Sequence, residues 1–147
     1  MPQIWESGKQ EEILRRLEKL ASDTKPAWGK FTAARMLDHC AAAMRAGLGD
    51  FPVAAKRTPF RNWPMRKLVI YALPWPKGAP TAPELLPEGE PDFEKAGADL
   101  RSALKRFAAA GAAGKFADHA AFGTLSGVEW GALTYRHLDH HWKQFRL

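Results

Sequence analysis

Three of the five histidines in this 147-residue sequence lie within one short stretch, Tyr135-Arg-His-Leu-Asp-His-His-Trp-Lys-Gln-Phe145. His137 and His141 are four residues apart, so on an α-helix they project from the same face, one turn apart. Two imidazoles placed in this way can bind one metal ion, with each nitrogen about 2.0–2.1 Å from it. The pair lacks the glutamate of the HExxH motif, so the spacing alone leaves both a metal site and core hydrogen bonding open.

The helix that would carry this pair is well marked in the sequence. Ser126 and Glu129 form the Ser-x-x-Glu pattern of a capping box, which predicts a helix from Ser126 to the C-terminus. At 100° per residue its faces differ. One holds Trp130, Leu133, Thr134, His137, His141 and Gln144, and the opposite face holds Arg136, Asp139, Lys143 and Arg146. We therefore expect the charged residues to face solvent and His137 and His141 to point into the protein.

A second helix offers a third histidine. Thr32 is a suitable N-cap for a helix that continues to about Ala46, before Gly47 and Gly49. His39 lies on its apolar stripe, with Met36, Ala43 and Ala46, away from Asp38 and Arg45. Alone, a buried histidine here would more simply be a hydrogen-bonding core residue.

Together, however, His39, His137 and His141 would approach one another in the interior. Leaving a polar group buried without a partner costs about 1–3 kcal/mol. A shared divalent metal ion, such as zinc, nickel or iron, would give all three a partner and keep one position open for water or substrate.

The remaining chain predicts an all-α fold of one domain, residues 1–147. Helical periodicity also marks residues 9–22 and the stretch from Asp92 to about Ala110, and no strand pattern is evident. Residues 48–91 hold nine of the eleven prolines, which limits them to loops and a short helix near Met65–Ala72. These elements predict a four-helix bundle with a long Pro-rich connection between its second and third helices. We expect the aromatic rings of that connection to pack onto the helices, or else to contact a ligand. These rings belong to Trp63, Tyr71 and Trp75.

Several other side chains receive a structural interpretation. His140 lies at the edge of the histidine face, which favours packing or indirect support of the site. His119 precedes the last helix and is expected to hydrogen-bond within its loop, and Cys40 is expected to be a small buried residue. Gln144 could bond a histidine ring or a substrate, or serve as a buried amide cap.

Charge, composition and the lack of certain segments argue against several functions. The formal charge is +6, but the basic residues are dispersed and no nucleic-acid-binding motif is present, so a nucleic-acid partner is not expected. No stretch resembles a signal peptide or is long enough for a membrane span. The single cysteine permits no internal disulfide, which is typical of a reducing, cytoplasmic setting.

Segments spread over nearly the whole chain resemble the DinB-like superfamily, also described with the YfiT-like metal-dependent hydrolases, and within it an uncharacterised branch. The matching segments are Trp28-Gly-Lys-Phe-Thr-Ala-Ala-Arg-Met-Leu-Asp-His-Cys40, Pro76-Lys-Gly-Ala-Pro-Thr81, His119-Ala-Ala-Phe-Gly-Thr-Leu-Ser126, Glu129-Trp130 and His137-Leu-Asp-His-His-Trp-Lys-Gln-Phe145.

The resemblance implies an up-down-down-up four-helix bundle and a divalent-metal site at His39, His137 and His141. It also implies activation of a water or a thiol, in hydrolysis or thiol transfer on a small molecule, and a homodimer. A proline usual after the loop histidine is Ala120 here, which puts in doubt only a role for His119. The alternative is a non-catalytic bundle that binds a ligand or dimerises, whose histidines hydrogen-bond in the core.

Overall fold

The computed structural model describes residues 2–147, and all regular secondary structure in this range is helical. The five α-helices are α1 (Lys9–Leu17), α2 (Ala33–Gly47), α3 (Trp63–Tyr71), α4 (Phe93–Ala110) and α5 (Gly127–Gln144). Single 3-10 turns occur at Pro59–Arg61 and Pro83–Leu85. The predicted all-α class is therefore confirmed. Within residues 2–147, no helix combines the length and the apolar character that crossing a membrane requires.

The three longest helices, α2, α4 and α5, each begin after the side-chain cap that the sequence predicts. The hydroxyl of Thr32 accepts the Arg35 N–H, and the carboxylate of Asp92 accepts the Lys95 N–H. Ser126 and Glu129 complete both bonds of the capping box at the start of α5. Each cap gives a partner to an N–H group that the first helical turn leaves free.

Helix α1 is shorter than the predicted 9–22. After Leu17 the backbone turns through bonds from the N–H of Lys19 to Arg16 and from the N–H of Leu20 to Leu17. These i to i−3 bonds tighten the chain and end the α-helix. Leu20 is nevertheless buried, because the turn brings it back to the core.

The Pro-rich connection contains the short helix predicted near Met65–Ala72, which begins two residues earlier at Trp63. Its Ile70 is fully buried. Trp63 contradicts the expectation that the aromatic rings of this segment pack inward, since 67% of it is exposed. It occupies the first turn of α3, on the side away from the core, whereas Tyr71 and Trp75 are partly buried against the core.

The core lies between α2, α4 and α5, with α1 packed against α4 and α5. The contact of α2 with α4 is the most extensive. Trp142 of α5 is fully buried, and its indole N–H donates to the Ile13 carbonyl of α1 over 2.9 Å. Cys40 is also fully buried, as predicted, and burial raises the pKa of its thiol.

The predicted solvent face of α5 is only partly exposed. Asp139 forms an ion pair with Arg16 of α1, with 2.8 Å between Oδ1 and Nη1. Arg136 donates to the carbonyls of Val69 and Ile70 over 2.8 and 2.9 Å, and so closes the last turn of α3. The prediction that all four charged residues face solvent is therefore wrong, because α1 and α3 pack against this side of α5. Of these four residues, only Lys143 and Arg146 are exposed.

Candidate metal centre

The three predicted histidines lie together in the structure. His39 of α2 and His137 and His141 of α5 have ring centroids 4.8–5.0 Å apart, with rings nearly perpendicular to one another. Each offers one ring nitrogen, and these nitrogens all lie within 4.8 Å of one another. In residues 2–147 they are the one group of three or more His, Cys, Asp or Glu side chains close enough to hold a metal ion. We refer to them as the triad.

Hydrogen bonding fixes the proton position on His39. Its Nδ1 lies 2.9 Å from the Leu85 carbonyl oxygen, which can only accept, so Nδ1 carries the proton. The unprotonated Nε2 then faces Nε2 of His137 at 3.0 Å. Leu85 belongs to the 3-10 turn Pro83–Leu85, in the connection whose path the sequence did not predict.

His141 is oriented in the same way by Gln144, one turn along α5. The His141 Nδ1–H donates to Gln144 Oε1 over 2.7 Å, while Gln144 Nε2 donates to the Trp28 carbonyl over 3.0 Å. The carbonyl of Trp28 thus determines which end of the amide faces the histidine. This confirms the first of the roles considered for Gln144, a bond to a histidine ring.

Gly29 is required beside this amide. Its φ is +79°, and a Cβ placed there would lie 2.8 Å from Gln144 Nε2. A side chain would therefore be strained by the backbone and would press on the amide that orients His141. The sequence contained no signal for this contact.

All three imidazoles are held in the neutral form that binds metals. Burial lowers the pKa of His39, and the bond to Leu85 only partly opposes this. Burial, with the neighbouring imidazoles of His141 and His39, lowers the pKa of His137 well below its ordinary value. Burial and His39 lower the pKa of His141 to about 3. At neutral pH the triad therefore presents uncharged nitrogens.

The donor set matches a transition metal. Ligands 2.0–2.1 Å from a tetrahedral ion lie about 3.3 Å from one another. Nε2 of His39 and Nε2 of His137 are 3.0 Å apart, and the three donor nitrogens all lie within 4.8 Å of one another. Three neutral nitrogens suit zinc, nickel or iron, whereas calcium and magnesium prefer oxygen ligands. Histidine ligands commonly bond their second nitrogen to a carbonyl or amide, as His39 and His141 do.

The triad opens into a cavity of about 630 Å³ between α2, α5 and the Pro-rich connection. Phe31 packs against His39 and His141 with centroids 5.3 and 5.8 Å apart, and Trp75 lies 6.2 Å from His137. Most of the lining is apolar, and this volume is within the range of small-molecule sites. The connection therefore forms one wall of the cavity.

The other two histidines are separate from the triad. His140 is partly buried, with its ring 5.7 Å from Trp28 and 5.9 Å from Trp75 on the cavity wall, which agrees with the predicted packing role. His119 Nδ1 accepts the N–H groups of Ala121 and Phe122 over 3.1 and 3.3 Å, which confirms it as a loop hydrogen-bonder.

Comparison with known proteins places the chain in a family that carries no functional description. The family model described as "Protein of unknown function (DUF1569)" matches residues 6–147. No curated protein and no solved structure gives a significant match.

Proposed function

We propose that this chain, which belongs to the DUF1569 family, binds one divalent transition-metal ion, zinc, nickel or iron, through His39, His137 and His141. The observation that carries the proposal is the close approach of three neutral imidazoles from two helices. Two of them have their Nδ1 protons engaged by Leu85 and Gln144, so their Nε2 lone pairs are available to an ion.

We further propose that the site acts on a small molecule, by hydrolysis or by thiol transfer. His39, His137 and His141 would hold the ion through three nitrogens and leave it able to bind a water or a thiol, whose pKa it would lower. The cavity beside the triad supports a small-molecule substrate, because it is enclosed by Phe31, Trp75 and the apolar part of the Pro-rich connection.

The fold belongs to the same proposal. We propose that α1, α2, α4 and α5 correspond to the four helices of a DinB-like bundle, with α3 inserted in the long connection between α2 and α4. The packing of α2 on α4 and of α5 on α1 and α2 supports this assignment.

A second candidate is a non-catalytic bundle whose histidines are core hydrogen-bonders. The observation in its favour is that each imidazole of the triad has a partner without any metal. His137 Nε2–H can donate to the unprotonated His39 Nε2 over 3.0 Å, and His141 bonds Gln144. The two candidates differ in whether removing one histidine changes metal binding or only stability.

The test is metal binding by full-length protein made without an affinity tag. Elemental analysis of the purified protein and calorimetric titration of chelator-treated protein with Zn²⁺, Ni²⁺ and Fe²⁺ should give one ion per chain. His39→Ala, His137→Ala and His141→Ala should each weaken binding by more than the 10–100-fold typical of losing a supporting residue.

The matched control is His140→Ala, which removes the adjacent histidine that lies outside the triad. It should bind metal as the unsubstituted protein does. Circular dichroism of each variant separates loss of a ligand from loss of the fold. Absence of metal after purification, with no binding of any of the three ions, would exclude the metal site and favour the core-hydrogen-bond alternative.

A further inference from the structure

The cavity contains a second polar group of residues beside α5. His119 lines the cavity, and its Nδ1 accepts two backbone N–H groups. A neutral imidazole that accepts at Nδ1 carries its proton on Nε2. Burial and the charge of Arg61 lower the pKa of His119 to about 4, so the ring is neutral at pH 7. Its Nε2–H is therefore available as a donor.

Trp130 supplies a second donor next to it. The indole ring lines the same cavity, 5.5 Å from the His119 ring between centroids, and only 5% of the residue is exposed. Its buried Nε1–H has no hydrogen-bond acceptor among residues 2–147. Buried N–H groups without a partner are rare in folded proteins, because leaving one unpaired costs free energy. An acceptor supplied by a ligand would remove this cost.

Charges around these two donors favour an anionic acceptor. Lys56 lines the cavity, and Arg61 donates to the carbonyls of Ala120 and Lys56 over 2.8 and 3.2 Å, beside His119. The acidic side chain of the cavity lining, Asp118, already accepts the Thr124 hydroxyl over 3.0 Å. Both cationic residues adjoin the loop of His119, since the backbone N–H of Lys56 also donates to the Ala120 carbonyl, over 2.9 Å. With Asp118 they carry a net charge of +1.

We propose that His119 Nε2–H and Trp130 Nε1–H form a carboxylate-binding subsite, in the same cavity as the triad but distinct from it. Trp130 and His137 are seven residues apart on α5, which separates them by about 10 Å along the helix axis. Apolar side chains line the cavity beside them, including Phe60, Phe122 and Leu133. The ligand class is therefore an elongated apolar carboxylic acid, with its carboxylate at the subsite and its other end at the triad.

The subsite itself needs no metal. This inference rests on the proposed function only where it places the other end of the ligand at the triad. The probes are decanoate and the uncharged decanol, which share an apolar chain of equal carbon number. Binding of both is measured by calorimetry to the full-length chain, once treated with chelator and once loaded with Zn²⁺.

Two variants remove one donor each. Trp130→Phe keeps most of the ring and removes the indole N–H. His119→Asn removes the Nε2–H, while its amide oxygen can still accept the loop N–H groups. Trp75→Phe is the matched control, because this indole N–H also belongs to a ring on the cavity wall but already donates to the Val69 carbonyl over 3.1 Å.

We expect chelator-treated protein to bind decanoate more tightly than decanol. Each donor variant should weaken decanoate binding about tenfold or more, as losing a hydrogen bond to a charged group does, and change decanol binding little. Trp75→Phe should keep the preference for decanoate. In ¹H–¹⁵N NMR spectra, decanoate but not decanol should move the indole signal that Trp130→Phe removes.

The opposite results overturn the subsite: no decanoate binding, an unchanged preference in both donor variants, or an unmoved Trp130 signal. Decanoate binding that requires Zn²⁺ and ignores both variants would place the carboxylate on the metal, which overturns the subsite and supports the metal site. A third outcome is that the protein binds no metal but its donor variants lose the preference for decanoate over decanol. That outcome would support the subsite and exclude the proposed metal function.

Discussion

Two of the triad imidazoles are oriented by hydrogen bonds that lead to backbone carbonyls far away in sequence, one directly and one through a neighbouring amide. His39 bonds the Leu85 carbonyl, and His141 bonds an amide that is itself held by the Trp28 carbonyl. These bonds fix both the ring direction and the position of the proton, and so they leave the Nε2 lone pairs free for the ion that we propose. The arrangement of the triad therefore depends on Gln144 and two backbone carbonyls as well as on the histidines themselves.

The substitution Gln144→Met tests this support. It keeps the length of the side chain but gives His141 Nδ1 no oxygen acceptor, so we expect zinc affinity to fall about 10–100-fold. The measurement is competition for Zn²⁺ against a chromophoric chelator at pH 7.5. Lys143→Met, at the adjacent exposed position of α5, should leave the affinity unchanged. Equal affinity of Gln144→Met and the unsubstituted protein would show that this amide does not support the site.

Helix α5 is positioned by glycines that let other segments approach its first turns. A Cβ at Gly131 would lie 2.2 Å from Trp5 Nε1, and one at Gly127 would lie 1.8 Å from the Ala112 carbonyl oxygen. The indole N–H of Trp5 also donates to the Gly127 carbonyl over 2.9 Å. Because α5 carries Trp130, His137 and His141, these close contacts help to place the whole site.

The same substitution at two helical glycines should therefore have opposite effects. Alanine is favoured over glycine in a helix by up to about 1 kcal/mol. At Gly97 of α4 the nearest atom to a new Cβ is 4.0 Å away, so Gly97→Ala should stabilise the protein by that amount. At Gly131 the overlap with Trp5 outweighs the propensity, and Gly131→Ala should cost about 1–3 kcal/mol.

Guanidinium-induced unfolding, with its midpoint and slope, measures both free energies. The gain in helical propensity is common to the two variants. The difference between their free energies of unfolding therefore reports the contact with Trp5. A Gly131→Ala protein as stable as Gly97→Ala would show that the N-terminal segment does not pack on α5.

The Pro-rich connection and α5 together bury His119 in the wall of the cavity. The stability of the whole molecule in acid therefore depends on this histidine. Burial, assisted by Arg61, lowers the pKa of His119 from 6.5 to about 4. Between these two values the unfolded chain binds more protons than the folded one. The free energy of unfolding therefore decreases as pH falls from 6.5 to 4, and the contribution is complete above 6.5.

We expect His119→Asn to lose this part of the pH dependence. The difference in unfolding free energy between pH 7.5 and pH 4 should be smaller in the variant by about 1–3 kcal/mol. Chemical denaturation of metal-free protein at several pH values provides the measurement. The remaining histidines are common to both proteins and cancel in the comparison. Identical pH profiles would mean that His119 titrates normally in the folded chain.

Sequence alone determined where α2, α4 and α5 begin and which histidines meet. A cap such as Ser126 with Glu129 acts within one turn, and helical periodicity fixes the face on which His39, His137 and His141 lie. Both signals are local, so they can be recognised in the sequence before the fold is known. The all-α class followed from them.

Only the tertiary structure decided what surrounds these elements. The Leu85 carbonyl reaches His39 across 46 positions, Arg16 pairs with Asp139 across 123, and neither pairing leaves a local pattern. For the same reason the sequence wrongly placed Arg136 in solvent and the ring of Trp63 against the helices. The paths of loops and the burial of side chains depend on contacts between distant residues, and these contacts form the cavity that the triad and the pair of His119 and Trp130 share.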